Sequence, residues 1–313
     1  MPSSARASTE GALPPLLVIC GATATGKTAL SLAIAEKFPG SEIISADSRQ
    51  VYRGMDIGTA KVGAADRERV PHHGLDLVEP DEPFSAEQFH RHALTALRGI
   101  RQRGGTALLV GGTGLYLRVV GRGMPLQETG SDPLLRAALE ERLAGEGLPA
   151  LAAELHRVAP RVAAATDLAN PRRVVRALER VRLHGDRLPP PPRGYPAPVT
   201  WIGLAAEQGV HESWITRRTR GQFEGGLLDE AADLLRRYPP SAPAFSAVGY
   251  REAFAVLQGG LSREEAIERT ITRTRQFARR QRTWFRAERD VHWLDATADP
   301  LPAALRRAED FLG

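Results

Sequence analysis

A chain of 313 residues is long enough for one large domain or two modest ones, and its 42% hydrophobic and 25% charged residues are typical of a soluble globular protein. No apolar run approaches the roughly 20 residues of a membrane helix, and a single cysteine, Cys20, excludes an intramolecular disulfide, so we expect a cytoplasmic protein without a membrane span. The net charge of +5 is carried almost wholly by arginine, which suits phosphate and nucleic-acid contacts, although a general replacement of lysine by arginine explains it equally well.

The first predicted elements frame a glycine-rich loop. Residues 1–14 contain no apolar core for a signal peptide, and we expect a disordered tail. The apolar run at 16–20 predicts a buried strand, and the sequence that follows the loop predicts a helix. A second short strand, EIIS, leads to Asp47. The loop itself, GATATGKT, matches the phosphate-binding pattern and consists of Gly21, Ala22, Thr23, Ala24, Thr25, Gly26, Lys27 and Thr28.

Further strands and helices alternate downstream. The sequence LDLV at 75–78 predicts a third strand, and TALLVGG at 106–112 predicts a fourth that ends in glycines. Between them a helix is predicted to begin at Ser85, where Gln88 completes a capping box. Strands that alternate with helices predict an α/β fold with a parallel, doubly wound sheet.

The pattern changes over residues 121–196, where no convincing strand occurs and helical periodicity recurs with caps and glycine stops. This segment closes in a stiff proline-rich linker, RLPPPPRGYPAP. After the linker, two further strands are predicted, at VTWIGL and at VHWLD, residues 291–295. We therefore predict an α/β core formed by residues 15–120 and 197–313, interrupted by a helical insertion domain at 121–196.

The last long helix is predicted to begin at Ser262, with Glu265 as its partner in a second capping box. Seven arginines and no acid lie between Glu268 and Glu288, whereas a solvated helix face normally alternates the sign of its charges. This pattern favours an anionic partner. The predicted buried stripe consists of Ile267, Ile271, Thr274, Phe277, Ala278 and Trp284.

The loop at 21–28 predicts binding of a phosphate chain, usually that of ATP or GTP. Successive backbone N–H groups, with a helix N-terminus behind them, form a concave anion site. Lys27 adds a point charge, and the hydroxyl of Thr28 is placed to bind Mg²⁺. The motif lies between a predicted strand and a predicted helix, as this mechanism needs.

Asp47 follows the second predicted strand, where ligands of open α/β sheets bind. Three roles stay open on local sequence: a water-mediated hold on Mg²⁺, a general base facing an acceptor nucleophile, and a turn or helix cap. Thr113, in GGTGLYL after the fourth strand, is a weaker candidate for the same cleft. The histidines of VPHH at 70–73 lack further ligands at suitable spacing, so we predict a structural role for them.

Seven motifs occur together in one order: GATATGKT, SADSRQVYRGMDIGTAK, VPHHGLDLVEP, LLVGGTGLYL, NPRRVVRALE, VGYREA and TRQFARRQRTWFR. This set runs from about Leu16 to Asp295 and resembles the tRNA dimethylallyltransferases, also called tRNA isopentenyltransferases or the IPP transferase family. The resemblance implies transfer of a dimethylallyl group from dimethylallyl diphosphate to N6 of the adenosine immediately 3′ of the anticodon, in tRNAs that read codons beginning with U.

The resemblance also implies a fold, a cofactor and catalytic residues. The family fold is a P-loop NTPase or kinase-like core with a helical insertion that grips the tRNA anticodon stem. The implied cofactor is Mg²⁺, the partners are tRNA and dimethylallyl diphosphate, and nothing in the sequence demands more than a monomer. Asp47 matches the family's general base, while the loop amides, Lys27, Mg²⁺ and an arginine stabilise the leaving diphosphate. Arg218 is the best match for that arginine, with Arg217 and Arg220 as alternatives.

Contacts with tRNA are expected by analogy with the family. A base of the anticodon loop must leave its stack to reach a buried donor. The matching positions in this sequence are Asp47, Ser48, Arg49, Gln50, Thr113, Arg136, Arg172, Arg173, Val174, Val175, Arg176, Ser246, Ala247, Val248, Gly249, Tyr250 and Arg251.

Two other hypotheses account for part of the pattern. A P-loop kinase of a small metabolite, using ATP and Asp47 to activate a hydroxyl, explains the loop and the sheet. It leaves the arginine-rich helix and the insertion unexplained. A non-catalytic, NTP-switched RNA-binding protein explains the basic surface but gives Asp47 no role.

Overall fold

The computed structural model describes residues 13–126 and 132–312 of the chain. These residues fall into two compact units. The first unit is formed by the chain up to Gly123 and again from Gly194 onward, and the second by residues 124–193.

Most of the predicted N-terminal tail, residues 1–12, lies outside the described residues. For its last two residues the prediction of disorder is wrong. The side chain of Leu13 is buried, and the carbonyl of Pro14 accepts a hydrogen bond from the Tyr195 hydroxyl at 2.8 Å.

In the described part of the first unit, six strands form one sheet. Every neighbouring pair is parallel, so the predicted parallel α/β core is confirmed. The strands are β1 (Leu16–Gly21), β2 (Ser41–Ser45), β3 (His72–His73), β4 (Thr106–Gly111), β5 (Val199–Ala205) and β6 (Val291–Asp295). Their order in the sheet is β3-β2-β4-β1-β5-β6. All residues of β1 and β2 are buried, as expected for parallel strands covered on both faces.

Thirteen α-helices are described, and within residues 13–126 and 132–312 none is long and apolar enough to cross a membrane. Helices α5 to α8 belong to the second unit and the others to the first. They are α1 (Lys27–Lys37), α2 (Ala64–Arg69), α3 (Ala86–Gln102), α4 (Gly114–Gly121), α5 (Pro133–Glu146), α6 (Leu148–Val158), α7 (Pro160–Ala164), α8 (Pro171–His184), α9 (Gln208–Glu224), α10 (Leu227–Arg237), α11 (Tyr250–Leu257), α12 (Arg263–Arg286) and α13 (Leu301–Leu312).

Alternate residues of β1 face opposite sides of the sheet, and each side has its own core. On one side Leu16 packs in a cluster with Phe89 of α3 and Phe285 of α12. On the other side Leu17 packs with Ile34 of α1 and with residues of α13. A further cluster joins α10, α11 and α12 to the segment after β2. Helix α12 therefore contacts both the sheet and the helices beside it.

The order of the strands places the ligand site. Strand β1 lies between β4 and β5, so the chain crosses from one side of β1 to the other only after the second unit. Ligands of open α/β sheets bind at the carboxyl ends of the strands where the order reverses in this way. The predicted phosphate loop after β1 and Asp47 after β2 both lie at this edge.

The predicted strand at 75–78 is wrong, because the strand in this region is β3, formed by the two histidines of VPHH and paired with β2. Asp76 has a φ of +53°, in the left-handed region, and this interrupts an extended backbone. Val78 forms an isolated bridge with Tyr52. The histidines thus belong to the sheet, in keeping with a structural role.

Both predicted capping boxes are present, but the buried stripe of α12 differs from the prediction. Phe277 is 39% exposed, whereas Gln281 and Phe285 are buried. From Ala278 the helical period leads to Gln281 and Phe285. The stripe therefore continues through a polar residue, where the prediction chose a larger apolar neighbour.

The second unit has a core of its own. Its helices α5 and α8 each begin with proline at the first helical position, preceded by a side-chain cap from Asp132 or Asn170. In the part of this unit that the structure describes, helices are present and strands are not. The core consists of Leu139, Leu151, Leu155, Ala159, Val162, Ala163, Val174, Val175, Ala177, Leu178 and Val181.

The second unit, 124–193, is three residues shorter at each end than the predicted insertion, 121–196. The arginine after α4, Arg122, lies with its guanidinium 4.2 Å from the ring of Trp201 on β5. The Gly194 N–H donates to the Arg122 carbonyl at 2.9 Å. These contacts tie both ends of the predicted segment to the first unit.

Candidate functional site

The phosphate loop begins where β1 ends and turns back into α1. Gly21 has a φ of +149°, and a Cβ there would lie 2.6 Å from the Leu204 carbonyl oxygen on β5, so glycine is required. Ala24 and Gly26 have φ values of +63° and +88°. Left-handed residues of this kind direct successive N–H groups toward one point at a helix N-terminus. The loop therefore has the geometry of an anion cradle.

Lys27 is folded against this cradle. Its ammonium group donates to the Ala22 carbonyl at 2.7 Å, and the Thr25 hydroxyl donates to the same oxygen at 2.9 Å. Burial and, next, the guanidinium of Arg218 lower the pKa of Lys27 to about 8, while the carboxylate of Asp47 opposes this shift. An anion bound between the two cations would raise the pKa again, because it favours the charged lysine.

Asp47 shares a cleft with the loop. Lys27, Thr28 and Asp47 line this cleft at the carboxyl ends of β1 and β2. The Asp47 Oδ1 accepts a hydrogen bond from the Arg49 N–H at 2.8 Å, which forms a turn. Asp47 thus fills the turn-cap role, and its carboxylate still lines the cleft. The structure brings the predicted phosphate loop and the predicted carboxylate together.

Thr113 fixes the residue that follows Asp47. Its hydroxyl accepts from the Ser48 N–H at 3.0 Å, and its own N–H donates to the Ala46 carbonyl at 3.2 Å. The carboxyl ends of β2 and β4 are therefore joined at this point. Thr113 thus contacts the residues on both sides of Asp47, Ala46 and Ser48.

Gln50 joins the residues after β2 to the GTAK segment. Its Oε1 accepts from the Ser45 hydroxyl at 2.8 Å. Its Nε2 donates to the carbonyls of Thr59 and Ala60, at 3.2 and 3.3 Å. Gln50 lines the same cleft as Asp47, so the GTAK segment forms part of its surroundings.

Two charged residues that were not predicted hold this segment in place. The buried ammonium group of Lys61 pairs with Asp56 and Asp76, at 2.6 and 2.7 Å. Glu230 of α10 accepts from three consecutive backbone N–H groups that begin at Asp56, at 2.9, 2.7 and 3.1 Å. The hydroxyl of Tyr250 donates to the same carboxylate at 2.6 Å. The conformation of the segment is therefore fixed by ion pairs and hydrogen bonds.

Of the three candidate arginines, Arg218 reaches the loop. Its Nη1 lies 3.2 Å from the Thr23 hydroxyl, and its Nη2 donates to the Thr59 carbonyl at 3.4 Å. Arg217 is exposed, and Arg220 pairs with two glutamates of α12. Positions one and two residues apart on a helix point to different faces. The geometry therefore favours Arg218 over its two neighbours.

Four of the predicted tRNA contacts are buried side chains. Val174 and Val175 form the apolar face of α8 in the core of the second unit. Tyr250 and Ala247 are buried in a core cluster of the first unit. The hydrophobic effect keeps these four side chains inside the fold, so a contact of these positions with RNA stays a prediction for their backbone atoms.

The neighbouring predicted contacts of the first unit differ in exposure. Ser246 and Arg251 are exposed, and Val248 is half-buried. Gly249 is buried and has a φ of +98°, which turns the chain into α11. Ser246 and Arg251 are thus the side chains of this group that solvent reaches freely.

The predicted arginines of the second unit lie on α5 and α8. Arg136 and Arg176 both pair with Glu179, whose side chain is 1% exposed, at 3.0 and 2.5 Å. Arg172 and Arg173 are exposed at the start of α8. A buried carboxylate thus holds two of the four arginines in fixed positions.

Helix α12 carries exposed arginines as the sequence predicted. Arg273, in contrast, pairs with Glu252 of α11. Arg275 lies 3.8 Å from the Glu212 carboxylate of α9. We refer to the exposed arginines between Glu268 and Glu288 other than these two as the α12 arginine face, and its members are Arg269, Arg279, Arg280 and Arg286.

Two further side chains that were not predicted contact the loop. Gln281 of α12 accepts from the Thr23 N–H at 2.9 Å, and a ring nitrogen of His211 on α9 lies 2.8 Å from the Thr23 carbonyl oxygen. A polar residue on the buried stripe of a helix is a sequence signal that would have identified Gln281. His211 offers no comparable signal.

The oxygen atoms of the cleft fit a magnesium ion that binds together with phosphates. Mg²⁺ usually keeps several waters and takes only one or two protein ligands beside phosphate oxygens. The Thr28 hydroxyl and the Asp47 carboxylate line the cleft and suit that role. Among the residues described by the structure, no cluster of three or more His, Cys, Asp or Glu side chains forms a separate metal site.

The sequence matches the family model for IPP transferase over residues 50–288. A tRNA dimethylallyltransferase of Anaeromyxobacter sp. (strain K) is 44% identical over 304 residues, which cover 94% of this chain and 97% of the relative. The family-model match lies downstream of the phosphate loop, and the match to the relative covers nearly the whole chain.

Two solved structures are similar over most of the chain. The tRNA isopentenylpyrophosphate transferase of Bacillus halodurans is 38% identical, with a TM-score of 0.70 over 95% of each chain. A eukaryotic dimethylallyltransferase acting on tRNA is 25% identical, with a TM-score of 0.79 over 96% of this chain and 79% of its own. The predicted P-loop NTPase-like core is confirmed. These relatives are named as dimethylallyl or isopentenylpyrophosphate transferases and none of them as a kinase, so the kinase hypothesis is not supported.

Proposed function

Because the chain belongs to the IPP transferase family, we propose that it transfers a dimethylallyl group from dimethylallyl diphosphate to N6 of the adenosine immediately 3′ of the anticodon. The substrates are tRNAs that read codons beginning with U. The observation that supports this proposal most strongly is that the phosphate loop and the Asp47 carboxylate line the same cleft. Such a pair serves a diphosphate leaving group and an amine acceptor at the same time.

Asp47 is the proposed general base. The adenine N6 attacks C1 of the dimethylallyl group, the bond from C1 to the diphosphate oxygen breaks, and its electron pair leaves with the diphosphate. The amine is a poor nucleophile because its lone pair is delocalised into the ring, and it must lose a proton as the new bond forms. The carboxylate of Asp47, oriented by the Arg49 N–H, accepts that proton.

The leaving diphosphate is stabilised by the loop amides, Lys27 and Arg218. Both side chains are withdrawn from bulk water, so their attraction for a growing negative charge is stronger than it would be on the surface. The Thr28 hydroxyl would hold Mg²⁺, whose charge would further stabilise the leaving diphosphate. Arg218 also contacts the loop at Thr23, which keeps the guanidinium beside the phosphates.

The proposed tRNA contacts include the residues around Asp47 and arginines of each unit. Ser48, Gln50 and Thr113 surround the adenine after it leaves its stack. The α12 arginine face and the arginines of α8 bind phosphates of the anticodon stem and loop, which the second unit grips. A cytoplasmic monomer suffices for this activity, since one chain supplies the loop, the carboxylate and the basic surfaces.

A single assay tests this function. Purified protein is incubated with Mg²⁺, dimethylallyl diphosphate and unmodified tRNA, and the nucleosides are analysed by mass spectrometry. We expect N6-dimethylallyladenosine and release of diphosphate. ATP turnover without a modified adenosine would refute the proposed function. A tRNA with guanosine in place of the target adenosine is the matched control and should remain unmodified.

A further inference from the structure

A buried glutamine connects the phosphate loop to the carboxyl end of β4. The side chain of Gln281 is 6% exposed, although it lies on the arginine-rich helix α12. Its Oε1 accepts from the Thr23 N–H at 2.9 Å, and its Nε2 donates to the Gly112 carbonyl at 2.9 Å. One amide therefore joins two loops that approach the cleft from neighbouring strands.

The absence of a side chain at Gly112 leaves room for this amide. A Cβ at Gly112 would lie 2.4 Å from the Gln281 Nε2, closer than non-bonded atoms approach. The next residue, Thr113, holds the N–H of Ser48 beside Asp47. The chain of contacts therefore runs from the phosphate loop through Gln281 to the neighbours of the proposed base.

Thr23 is held on its other polar atoms as well. The ring of His211 lies 2.8 Å from the Thr23 carbonyl oxygen, and Arg218 lies 3.2 Å from the Thr23 hydroxyl. The Arg282 guanidinium faces Nδ1 of His211 at 3.1 Å. Because a guanidinium can only donate, Nδ1 is the acceptor and Nε2 carries the hydrogen that Thr23 accepts. Helices α9 and α12 thus fix the loop at three atoms of one residue.

We propose that Gln281 is a positioning residue that sets the distance between the phosphate cradle and the Asp47 carboxylate. This proposal rests on the proposed function, because the cradle holds the diphosphate of the donor and Asp47 faces the acceptor amine. Group transfer requires reacting atoms about 3–3.5 Å apart, and a displacement of about 1 Å can lower the rate about a hundredfold. Gln281 contacts neither substrate and acts through Thr23 and Gly112.

The first test variant is Gln281→Met, which keeps the length of the side chain and removes both hydrogen bonds. We expect kcat for prenyl transfer to fall about a hundredfold. The affinity for inorganic diphosphate with Mg²⁺, measured by calorimetry, should fall about two- to tenfold, since the Thr23 N–H loses its partner and the loop is held less firmly. The KM for tRNA should not change. The matched control is Gln276→Met, because Gln276 is exposed on the same helix.

The second variant, Gly112→Ala, displaces Gln281 without altering it. We expect the same fall in kcat, and the double variant should be no slower than the slower single variant, because both changes break one contact. If Gln281→Met loses its cooperative melting transition, the kcat of Gly112→Ala alone tests the positioning role. Wild-type kcat in either folded variant, or additive losses in the double variant, would overturn the proposal.

The two measurements separate this proposal from the proposed function. If wild-type protein binds diphosphate but gives no modified adenosine, the proposed function fails. In that case diphosphate affinity still tests Gln281. Affinity that is equal in wild type and Gln281→Met would then overturn the positioning role.

Discussion

The contact that orients Asp47 does not need a negative charge, since the Arg49 N–H can donate to an amide oxygen as well as to a carboxylate. Asp47→Asn therefore keeps the shape of the turn and loses the ability to take a proton. We expect kcat to fall about 10²- to 10⁴-fold, the usual contribution of a general base. The dissociation constant for tRNA should stay near its wild-type value. Single-turnover rates and tRNA binding measure the two quantities.

Asp81→Asn is the matched control for Asp47→Asn, because Asp81 is an exposed aspartate between β3 and α3. It should leave both quantities unchanged. A kcat for Asp47→Asn within about twofold of wild type would remove Asp47 from the role of base, since proton transfer contributes far more than that.

Lys27 makes diphosphate binding depend on pH near 8. Its pKa is lowered to about 8, first by burial and then by Arg218, so the lysine loses its charge as the pH rises through that value. Diphosphate only gains negative charge over the same range, which by itself would strengthen binding. We therefore expect the affinity for diphosphate with Mg²⁺ to decrease between about pH 7.5 and pH 9, as measured by calorimetry.

The variant Lys27→Arg isolates this effect. Arginine keeps its charge at every pH used, so the affinity of the variant should not fall over that range, whatever its absolute value. A wild-type affinity that is constant or rises from pH 7.5 to 9 would show that Lys27 does not control the pH dependence.

At the scale of single elements, the long periodic segments could be predicted from the sequence and the short ones could not. The capping boxes at Ser85 and Ser262 define α3 and α12 because a cap acts locally. Strand β3 has only two residues and therefore shows no periodicity. The segment LDLV has the composition of a strand, but the positive φ of Asp76 interrupts the extended backbone. Local pattern cannot reveal that a polar residue such as Gln281 will find buried partners.

The α12 arginine face should give tRNA binding a steep dependence on salt. Each lysine or arginine that contacts a phosphate displaces about one counterion. Arg279 and Arg280 are adjacent and exposed on α12. The double variant Arg279→Ala/Arg280→Ala should weaken tRNA binding and reduce the slope of log K against log salt concentration by about one for each phosphate that the variant no longer binds. Filter binding or fluorescence titration at several salt concentrations measures this slope.

The matched control for the α12 arginine face is Arg306→Ala, because Arg306 is exposed on α13, which packs on the opposite side of the sheet. Its slope should equal that of wild type. If the α12 double variant also keeps the wild-type slope, its two arginines do not meet phosphates.

At the scale of the whole molecule, the site is assembled from residues far apart in the sequence. Thr23 and Gln281 are 258 positions apart, and Thr23 and His211 are 188 positions apart. The loop and Asp47 could be identified from local sequence, because one has a motif and the other follows a predicted strand. Arg218 follows from family resemblance alone, with Arg217 and Arg220 left as alternatives. The contacts between them depend on how α9 and α12 pack against the end of β1, and no periodicity in the sequence encodes that packing.

The two units have separate cores, so a loss of stability in the second unit should leave the donor site in the first unit unchanged. Leu151 is fully buried in the core of the second unit, while the phosphate loop belongs to the first. Leu151→Ala leaves a cavity and should lower the free energy of unfolding of the second unit by about 2–5 kcal/mol.

We expect Leu151→Ala to give an earlier thermal transition in calorimetry, while the affinity for diphosphate at a temperature below that transition stays at its wild-type value. Leu134→Ala is the matched control, because Leu134 lies in the same unit and is 84% exposed, so its loss should cost less than about 0.5 kcal/mol. A parallel loss of diphosphate affinity in Leu151→Ala would mean that the core of the second unit also supports the phosphate loop, and the division into two independent cores would then be incorrect.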